Sequence, residues 1–168
     1  MNYITHSLGG AAAGVMVINA MGVNEPTQQS AILTGAVLGS LFIDIDHKKS
    51  WIAHKIPLLA NAASGLFKHR GVIHTPVFVA IVSIILGVLD WSWLHEWNVF
   101  APYFIRGFIP GMMSHLVLDT LNVQGIMWLW PISNKRFHLL RIRTNSMMEM
   151  AVCVVLGACL YGKYGSFF

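Results

Sequence analysis

Five long apolar runs, each bounded by polar or charged residues, follow one another along the chain. They cover residues 4–21, 31–43, 72–89, 100–121 and 147–162. A helix needs about 20 residues to cross the hydrocarbon core of a bilayer, with about 17 as the lower limit, so the second and fifth runs are short by that measure. The pattern predicts an all-α integral membrane bundle of about five helices, which forms one domain over residues 1–168.

The composition favours membrane insertion over a soluble fold. Hydrophobic residues make up 55% of the chain and charged residues only 11%, whereas a soluble domain averages about 25% charged residues. The net charge of +4 would fit a nucleic-acid partner, but the basic residues do not form a stripe with interleaved aromatic residues. They concentrate in two loops, so no nucleic-acid partner is predicted and the charge is attributed to membrane topology.

Lysine and arginine mark alternate connections between the apolar runs. Of the chain's 11 basic residues, five lie between the second and third runs and four lie between the fourth and fifth. The other two connections contain none. By the positive-inside rule the basic loops face the cytoplasm. We therefore expect a multi-pass protein of the bacterial inner membrane, with its N-terminus in the cytoplasm and its C-terminus outside.

Pairs of glycines four residues apart predict how the helices pack. The pairs are Gly10 and Gly14, Gly35 and Gly39, and Gly107 and Gly111. Small residues at this spacing allow membrane helices to approach closely. In the fourth run the same spacing continues to His115 and Asp119. Both side chains are therefore expected on the packed face of that helix, inside the bundle.

Histidine and aspartate residues gather at the predicted cytoplasmic ends of four apolar runs. The set comprises His6, Asp44, Asp46, His47, His69, His74, His115 and Asp119. Such side chains are costly beside hydrocarbon and by default mark a functional site. Imidazole and carboxylate ligands bind Zn²⁺, Mn²⁺ or Fe²⁺. The set therefore predicts a site for a divalent transition metal, with zinc as the first choice and with donors enough for two or more ions.

Each motif also has an ordinary structural interpretation. Residues 44–47 could be a solvated helix end, and residues 69–74 could be a plain loop before the helix start that Thr75-Pro76 predicts. His115 and Asp119, at positions i and i+4, could form a structural hydrogen bond between helices. They could instead bind one ion together, or Asp119 could orient the imidazole of His115 from outside the metal's own ligands.

Taken together, the motifs resemble the YdjM-like family of bacterial inner-membrane proteins, which are predicted metal-dependent hydrolases. The matching pieces are Thr5-His6, Gly39 through Asp44-Ile45-Asp46-His47, His69-Arg70-Gly71-Val72-Ile73-His74-Thr75, Ser114-His115-Leu116-Val117-Leu118-Asp119, and Gly125 to Pro131. Ile43, where proline is expected, and Thr75, where serine is more usual, depart from the family pattern without removing a ligand. The resemblance implies metal-dependent hydrolysis. It also implies a distant similarity to the all-helical zinc phospholipase C and nuclease group, which uses His and Asp in dinuclear or trinuclear sites on phosphoesters.

These features predict a membrane-embedded, metal-dependent hydrolase. Its expected substrate is a phosphoester or ester of a membrane lipid or lipid-linked molecule at the cytoplasmic face. Asp46 is the expected general base and Arg70 the second catalytic residue, while Arg70 and Arg136 are expected to bind an anionic headgroup. Two alternatives stay open: a metal or proton carrier, and a non-catalytic structural metal site. Transporter sites usually lie near the bilayer midplane between broken helices, whereas these residues lie at one face, which disfavours the carrier.

Overall fold

Helices dominate the part of the chain that the computed structural model describes, which is residues 1–46, 55, 71–89 and 100–164. The helices are α1 (Tyr3–Met21), α2 (Pro26–Phe42), α3 (Pro76–Val88), α4 (Phe100–Thr120) and α5 (Met147–Tyr164), with a 3₁₀ turn at Ile43–Asp46 that prolongs α2. No β-strand forms within the described ranges; two isolated backbone bridges pair Asn122 with Ile142 and Ile126 with Phe137. The all-α prediction is confirmed for these ranges.

Two of the described helices are long and apolar enough to cross a membrane. One is α1, and the other is α2 together with its 3₁₀ continuation, over Pro26–Ile45. The apolar stretches of α3 and α5, Pro76–Val88 and Met147–Gly162, are shorter. Helix α4 has 21 residues, but it carries Arg106 in its first half and the polar residues His115 and Asp119 near its C-terminal end. Membrane insertion by five spans, and the direction of each, stay predictions.

Glycines bring α1, α2 and α4 into direct backbone contact. A Cβ atom added at Gly107 or Gly111 would collide with the carbonyl groups of Ile32 or Ala36 on α2. In the opposite direction, Gly35 and Gly39 of α2 lie against the carbonyl groups of Phe104 and Phe108 on α4, and Gly10 of α1 lies against the Ala36 carbonyl. Helix α2 therefore packs between α1 and α4, and the close approach predicted from the glycine spacing is confirmed.

The starts of two helices explain how the polar residues reach the same end of the bundle. Helix α1 begins after Asn2, whose side chain accepts a hydrogen bond from the Thr5 backbone N–H at 2.9 Å. Helix α3 begins at Pro76, after the Thr75 hydroxyl accepts a hydrogen bond from the Phe78 backbone N–H at 3.3 Å. The predicted Thr75-Pro76 start is confirmed. Because Pro76 is the first helical residue, His74 lies in the turn that precedes α3.

The connection between α4 and α5 folds back onto the end of α4. The backbone N–H of Leu139 donates to the Thr120 carbonyl at 2.8 Å, and that of Ile142 donates to the Leu121 carbonyl at 2.7 Å. The Ile142 and Ile126 side chains are buried. Ile126 joins a core cluster with Ile43, Ile73, Val79, Met112 and Leu116. This core unites the end of α2, the turn before α3, and α4 beneath the polar residues.

Candidate metal centre

Five of the eight predicted metal ligands converge on one place at the end of the bundle. His6 comes from the first turns of α1, Asp44 from the 3₁₀ turn after α2, and His74 from the turn before α3. His115 and Asp119 come from the last turns of α4. His6, His115 and Asp119 are buried, whereas Asp44 and His74 are partly exposed. We call these five residues the metal cluster.

Five nitrogen–oxygen pairs within the metal cluster are separated by 3.4 to 3.9 Å. The Nε2 atom of His6 lies 3.5 Å from Oδ1 of Asp119, and Nε2 of His115 lies 3.4 Å from Oδ2 of the same carboxylate. On the other side, Nε2 of His74 lies 3.5 Å from Oδ1 of Asp44. The separations between the two sides are longer. Nε2 of His115 lies 3.8 Å from Oδ1 of Asp44, and Nε2 of His74 lies 3.9 Å from Oδ2 of Asp119.

These separations fit ligands of one ion better than they fit direct hydrogen bonds. A good N–H···O hydrogen bond spans about 2.7–3.2 Å, which is shorter than any of the five distances. Two ligands of a tetrahedral zinc ion, each about 2.0–2.2 Å from the metal, are roughly 3.3–3.6 Å apart. The three shorter separations, from 3.4 to 3.5 Å, fall in that range.

Two overlapping groups of three donors meet the spacing that a metal ion requires. One group is His6, His115 and Asp119, and the other is Asp44, His74 and His115; within each group the donor atoms lie within 4.8 Å of one another. The His6 and His115 rings stack, with centroids 3.7 Å apart and 10° between their planes. The shared residue, His115, therefore lies between the buried group and the more exposed one.

Three of the four ring nitrogens of His6 and His115 have no hydrogen-bond partner among the described residues. Nδ1 of His115 lies 2.5 Å from the Ser40 backbone carbonyl. A carbonyl can only accept, so Nδ1 carries the proton and Nε2 presents its lone pair to the cluster. Nε2 of His115 and both ring nitrogens of His6 are buried without a hydrogen-bond partner among the described residues. Buried polar atoms normally have partners, and these nitrogens lie beside carboxylates, so the group has the donor types and spacing that could hold a metal ion.

The Asp119 carboxylate is placed to serve both sides of the cluster. Its Oδ1 atom faces His6 and lies 3.1 Å from the Met1 ammonium nitrogen, while its Oδ2 atom faces His115 and His74. A carboxylate with its oxygens turned to different donors has the geometry to contact two neighbouring ions. The predicted pairing of His115 with Asp119 at i and i+4 is present, and both side chains face the packed interior.

The remaining predicted residues have different placements. The backbone of Asp46 continues the 3₁₀ turn, but its side chain lies outside the described residues, as do His47, His69 and Arg70. Arg136 is described and exposed, and its Nη1 donates to the Gln124 carbonyl at 3.4 Å. The roles predicted for these residues stay predictions.

A second buried polar group adjoins the metal cluster, and sequence reasoning did not anticipate its form. Glu149, at the start of α5, is only 1% exposed. Its Oε1 atom accepts from the Asn2 backbone N–H at 2.6 Å and from the Thr5 hydroxyl at 2.9 Å, and its Oε2 atom accepts from the Asn145 backbone N–H at 2.5 Å. We call Asn2, Thr5, Asn145 and Glu149 the cap cluster. It fastens the start of α1, and hence His6, to the start of α5.

A sequence signal for the cap cluster does exist. Ser146 and Glu149 have the Ser-x-x-Glu spacing of a capping box, which marks a helix start. The Glu149 backbone N–H donates to the Ser146 hydroxyl at 3.3 Å, as that motif requires. The Ser40 carbonyl that fixes His115 has no such signal, because every residue carries a carbonyl and only the packing of α2 on α4 selects this one.

The fold and the cluster define an all-helical protein with a buried histidine–aspartate group at one end of its helices. The chain belongs to the YdjM inner membrane protein family, which matches residues 1–167. It is 33% identical over 159 residues to YvsG of Bacillus subtilis, a match that covers 94% of this chain and 91% of the relative.

Two proteins of Escherichia coli are also similar. Inner membrane protein YdjM is 28% identical over 128 residues, which is 74% of this chain and 62% of the relative. Inner membrane protein YbcI is 30% identical over 78 residues, which is 45% of this chain and 43% of the relative. The matched part of the chain thus corresponds to less than two thirds of either E. coli protein. No solved structure matches this chain.

Proposed function

We propose that this protein is a membrane-embedded, metal-dependent hydrolase of phosphoesters or esters carried by a membrane lipid or lipid-linked molecule. The observation that carries the proposal is the convergence of five imidazole and carboxylate side chains from four separate segments of the fold. The ring nitrogens at the buried side have no hydrogen-bond partner among the residues that the structure describes, apart from Nδ1 of His115. Zinc is the first ion to test, and Mn²⁺ or Fe²⁺ would suit the same donors. The proposed location is the cytoplasmic face of the inner membrane.

The donors favour a pair of ions over a single one. His115 can bind only one ion, because its Nδ1 is engaged with the Ser40 carbonyl and only Nε2 has a free lone pair. The other donors divide into His6 with Oδ1 of Asp119 on one side and His74 with Asp44 on the other. A pair of ions about 3.5–4 Å apart activates a water molecule and stabilises both oxygens of a displacement at phosphorus or at an acyl carbon.

The exposure of the cluster residues suggests the side from which a substrate enters. His6 and His115 are closed off by α1, α2 and α4, whereas Asp44 and His74 are partly open. The open coordination position of a catalytic ion is therefore expected next to Asp44 and His74. Asp46, two residues beyond Asp44, is the proposed general base, and Arg70 and Arg136 are the proposed partners of an anionic headgroup.

Hydrolysis is tested with purified protein that has been loaded with zinc, manganese or iron. The substrates are a set of phospholipids, lipid phosphates and soluble phosphomonoesters and diesters, with acyl esters included. We expect turnover that His115→Ala abolishes and that Asp46→Asn lowers about 10²–10⁴-fold while at least one metal ion stays bound. Arg136→Gln should instead raise KM for anionic substrates and leave the metal content unchanged.

The same preparations distinguish the two alternatives. Metal-loaded wild-type protein that hydrolyses nothing, yet moves metal or protons across proteoliposomes, would replace the hydrolase with a carrier. Metal-loaded protein that does neither would leave a structural metal site. Protein that binds no metal at all would remove the basis of the hydrolase, the metal carrier and the structural metal site, and would leave only the proton carrier.

A further inference from the structure

The connection between α4 and α5 combines large exposed apolar side chains with a dense positive charge. Within residues 129–143, Ile132 is 92% exposed and Leu139 is 71% exposed, and Leu129, Leu140 and Phe137 are exposed as well. Exposed apolar groups of this size in a single short segment are unfavourable in water and mark an interaction surface. We call residues 129–143 the interfacial segment.

The charge of the interfacial segment has one sign only. Its basic residues are Lys135, Arg136, Arg141 and Arg143, and all four side chains are exposed. No aspartate or glutamate occurs in the sequence between Asp119 and Glu149. The positive charge is therefore not neutralised within the segment, and an anionic partner would complement it. Basic and apolar side chains side by side are typical of elements that lie in the headgroup layer of a bilayer.

The interfacial segment is held in a fixed place beside the metal cluster. The backbone N–H of Leu139 donates to the carbonyl of Thr120, and Thr120 directly follows Asp119 in the sequence. The Phe137 backbone exchanges two hydrogen bonds with the Ile126 backbone, at 2.9 and 3.1 Å. Ile142 is buried, and its backbone N–H donates to the Leu121 carbonyl. Trp128, just before the segment, donates its indole N–H to the Thr120 hydroxyl at 2.9 Å. The exposed side chains therefore project from the end of the bundle that carries the metal cluster.

We infer that residues 129–143 form a platform that binds the anionic lipid surface of the surrounding membrane at headgroup depth, next to the metal cluster. The inference rests on the proposed function where it makes anionic lipid the substrate class, because the platform would concentrate such lipids at the mouth of the site. Lipid binding itself requires neither metal nor hydrolysis, so the two can fail separately.

The depth of the platform is measured with a fluorescent label at Ile132→Cys in a Cys153→Ala, Cys159→Ala background, in nanodiscs. We expect strong quenching by a lipid that carries a spin label near its headgroup, and protection from aqueous iodide. A label at Ile84→Cys, which is an exposed apolar position on α3, serves as the reference for deep insertion. Full access of iodide to the label at position 132, with no quenching by the spin-labelled lipid, would overturn the inference.

The charge of the platform is measured as the affinity of the purified, metal-free protein for phosphatidylglycerol, with phosphatidylcholine as the neutral comparison. At about 1 kcal/mol for each basic residue near an anionic surface, Arg143→Gln should weaken phosphatidylglycerol binding about fivefold, and Arg141→Gln with Arg143→Gln about 30-fold. Arg106→Gln is the matched control, because Arg106 is exposed elsewhere on α4, over the Tyr103 ring. Equal affinities for the two lipids, or equal losses in all variants, would contradict the inference, whatever the hydrolysis assay shows.

Discussion

Two polar clusters at this end of the bundle each contain a buried carboxylate, Glu149 in one and Asp119 in the other, yet they differ in how completely their atoms are paired. In the cap cluster, both oxygens of Glu149 accept hydrogen bonds from backbone or hydroxyl donors. In the metal cluster, three ring nitrogens of His6 and His115 have no hydrogen-bond partner among the described residues. Thr5 of the cap cluster and His6 of the metal cluster are neighbours in the sequence.

This difference separates a structural role from a functional one. A buried carboxylate that is saturated by fixed donors stabilises the fold and has no remaining capacity to bind a cation strongly. Buried imidazoles without a partner among the described residues are unfavourable by themselves, and the proposed metal ion would supply the partner that they lack. Burial of a charged residue near a site is therefore not enough to assign it to that site.

The largest expected effect is the difference in zinc affinity between variants of one carboxylate from each cluster. Asp119→Asn should weaken zinc binding by about 100-fold or more, because it removes a donor that faces both sides of the cluster, and even residues that only orient ligands contribute 10–100-fold. Glu149→Gln should change zinc affinity by less than about tenfold. Competition with a chromogenic chelator measures both affinities. Equal losses in the two variants would erase the distinction between the clusters.

The next effect concerns the helix contact that places the metal cluster. In Gly111→Ala the new methyl group meets the Ala36 backbone, which forces α2 away from α4. Overpacking of this kind costs roughly 1–3 kcal/mol, and it also moves the Ser40 carbonyl away from His115, so zinc affinity should fall as well. Gly157→Ala on α5 is the control, since a Cβ there meets no atom within 4 Å. Thermal unfolding in detergent, with and without zinc, compares the two variants.

An effect on stability of similar size, but without a loss of zinc affinity, is expected from the cap cluster. Glu149→Ala leaves the backbone N–H groups of Asn2 and Asn145 without their acceptor, which should lower the free energy of unfolding by about 1–3 kcal/mol. In Glu149→Gln the remaining carbonyl oxygen should restore part of that loss. Zinc should raise the melting temperature of both variants as it does for the wild type. A Glu149→Gln protein that zinc no longer stabilises would place Glu149 in the metal cluster after all.

The smallest effect tests a single hydroxyl group of the cap cluster. Thr5→Val removes the hydroxyl that contacts Glu149 at 2.9 Å and Cys153 at 3.1 Å, and we expect a loss of about 1 kcal/mol in the free energy of unfolding. Ser7→Ala, two residues along the same helix, removes a hydroxyl of a half-buried residue whose hydrogen bond to the Tyr3 carbonyl is exposed, and it should change stability by less than about 0.5 kcal/mol. Denaturant titration of the two variants in parallel gives the difference, and a larger loss for Ser7→Ala would contradict the assignment.

Residue type and spacing were sufficient to predict which five of the polar residues meet at one end of the bundle. Ligand-type residues at helix ends singled out His6, Asp44, His74, His115 and Asp119, and these are the residues that the fold brings together. The glycine spacing predicted the close packing of α1, α2 and α4, because a missing side chain is itself the structural feature. The start of α3 followed from Thr75 and Pro76, whose capping chemistry is local.

Features that depend on packing between distant elements could not be predicted in the same way. Glu149 has the residue type of a ligand and lies at the same end of the bundle, yet it binds the backbone of α1, which no local pattern encodes. The Ser40 carbonyl was selected by the position of α2 relative to α4. The number of membrane spans also stays a prediction, because the apolar parts of α3 and α5 are short and hydropathy alone does not decide their path.

The most direct test of the metal cluster is elemental analysis of the purified protein, grown in metal-replete medium and never exposed to a chelator. We predict at least one zinc, manganese or iron ion per chain in the wild type and in Glu149→Gln, and loss of that metal in His115→Ala. Wild-type protein without metal, whose melting temperature zinc does not raise, would contradict the assignment of His6, Asp44, His74, His115 and Asp119 as a metal centre.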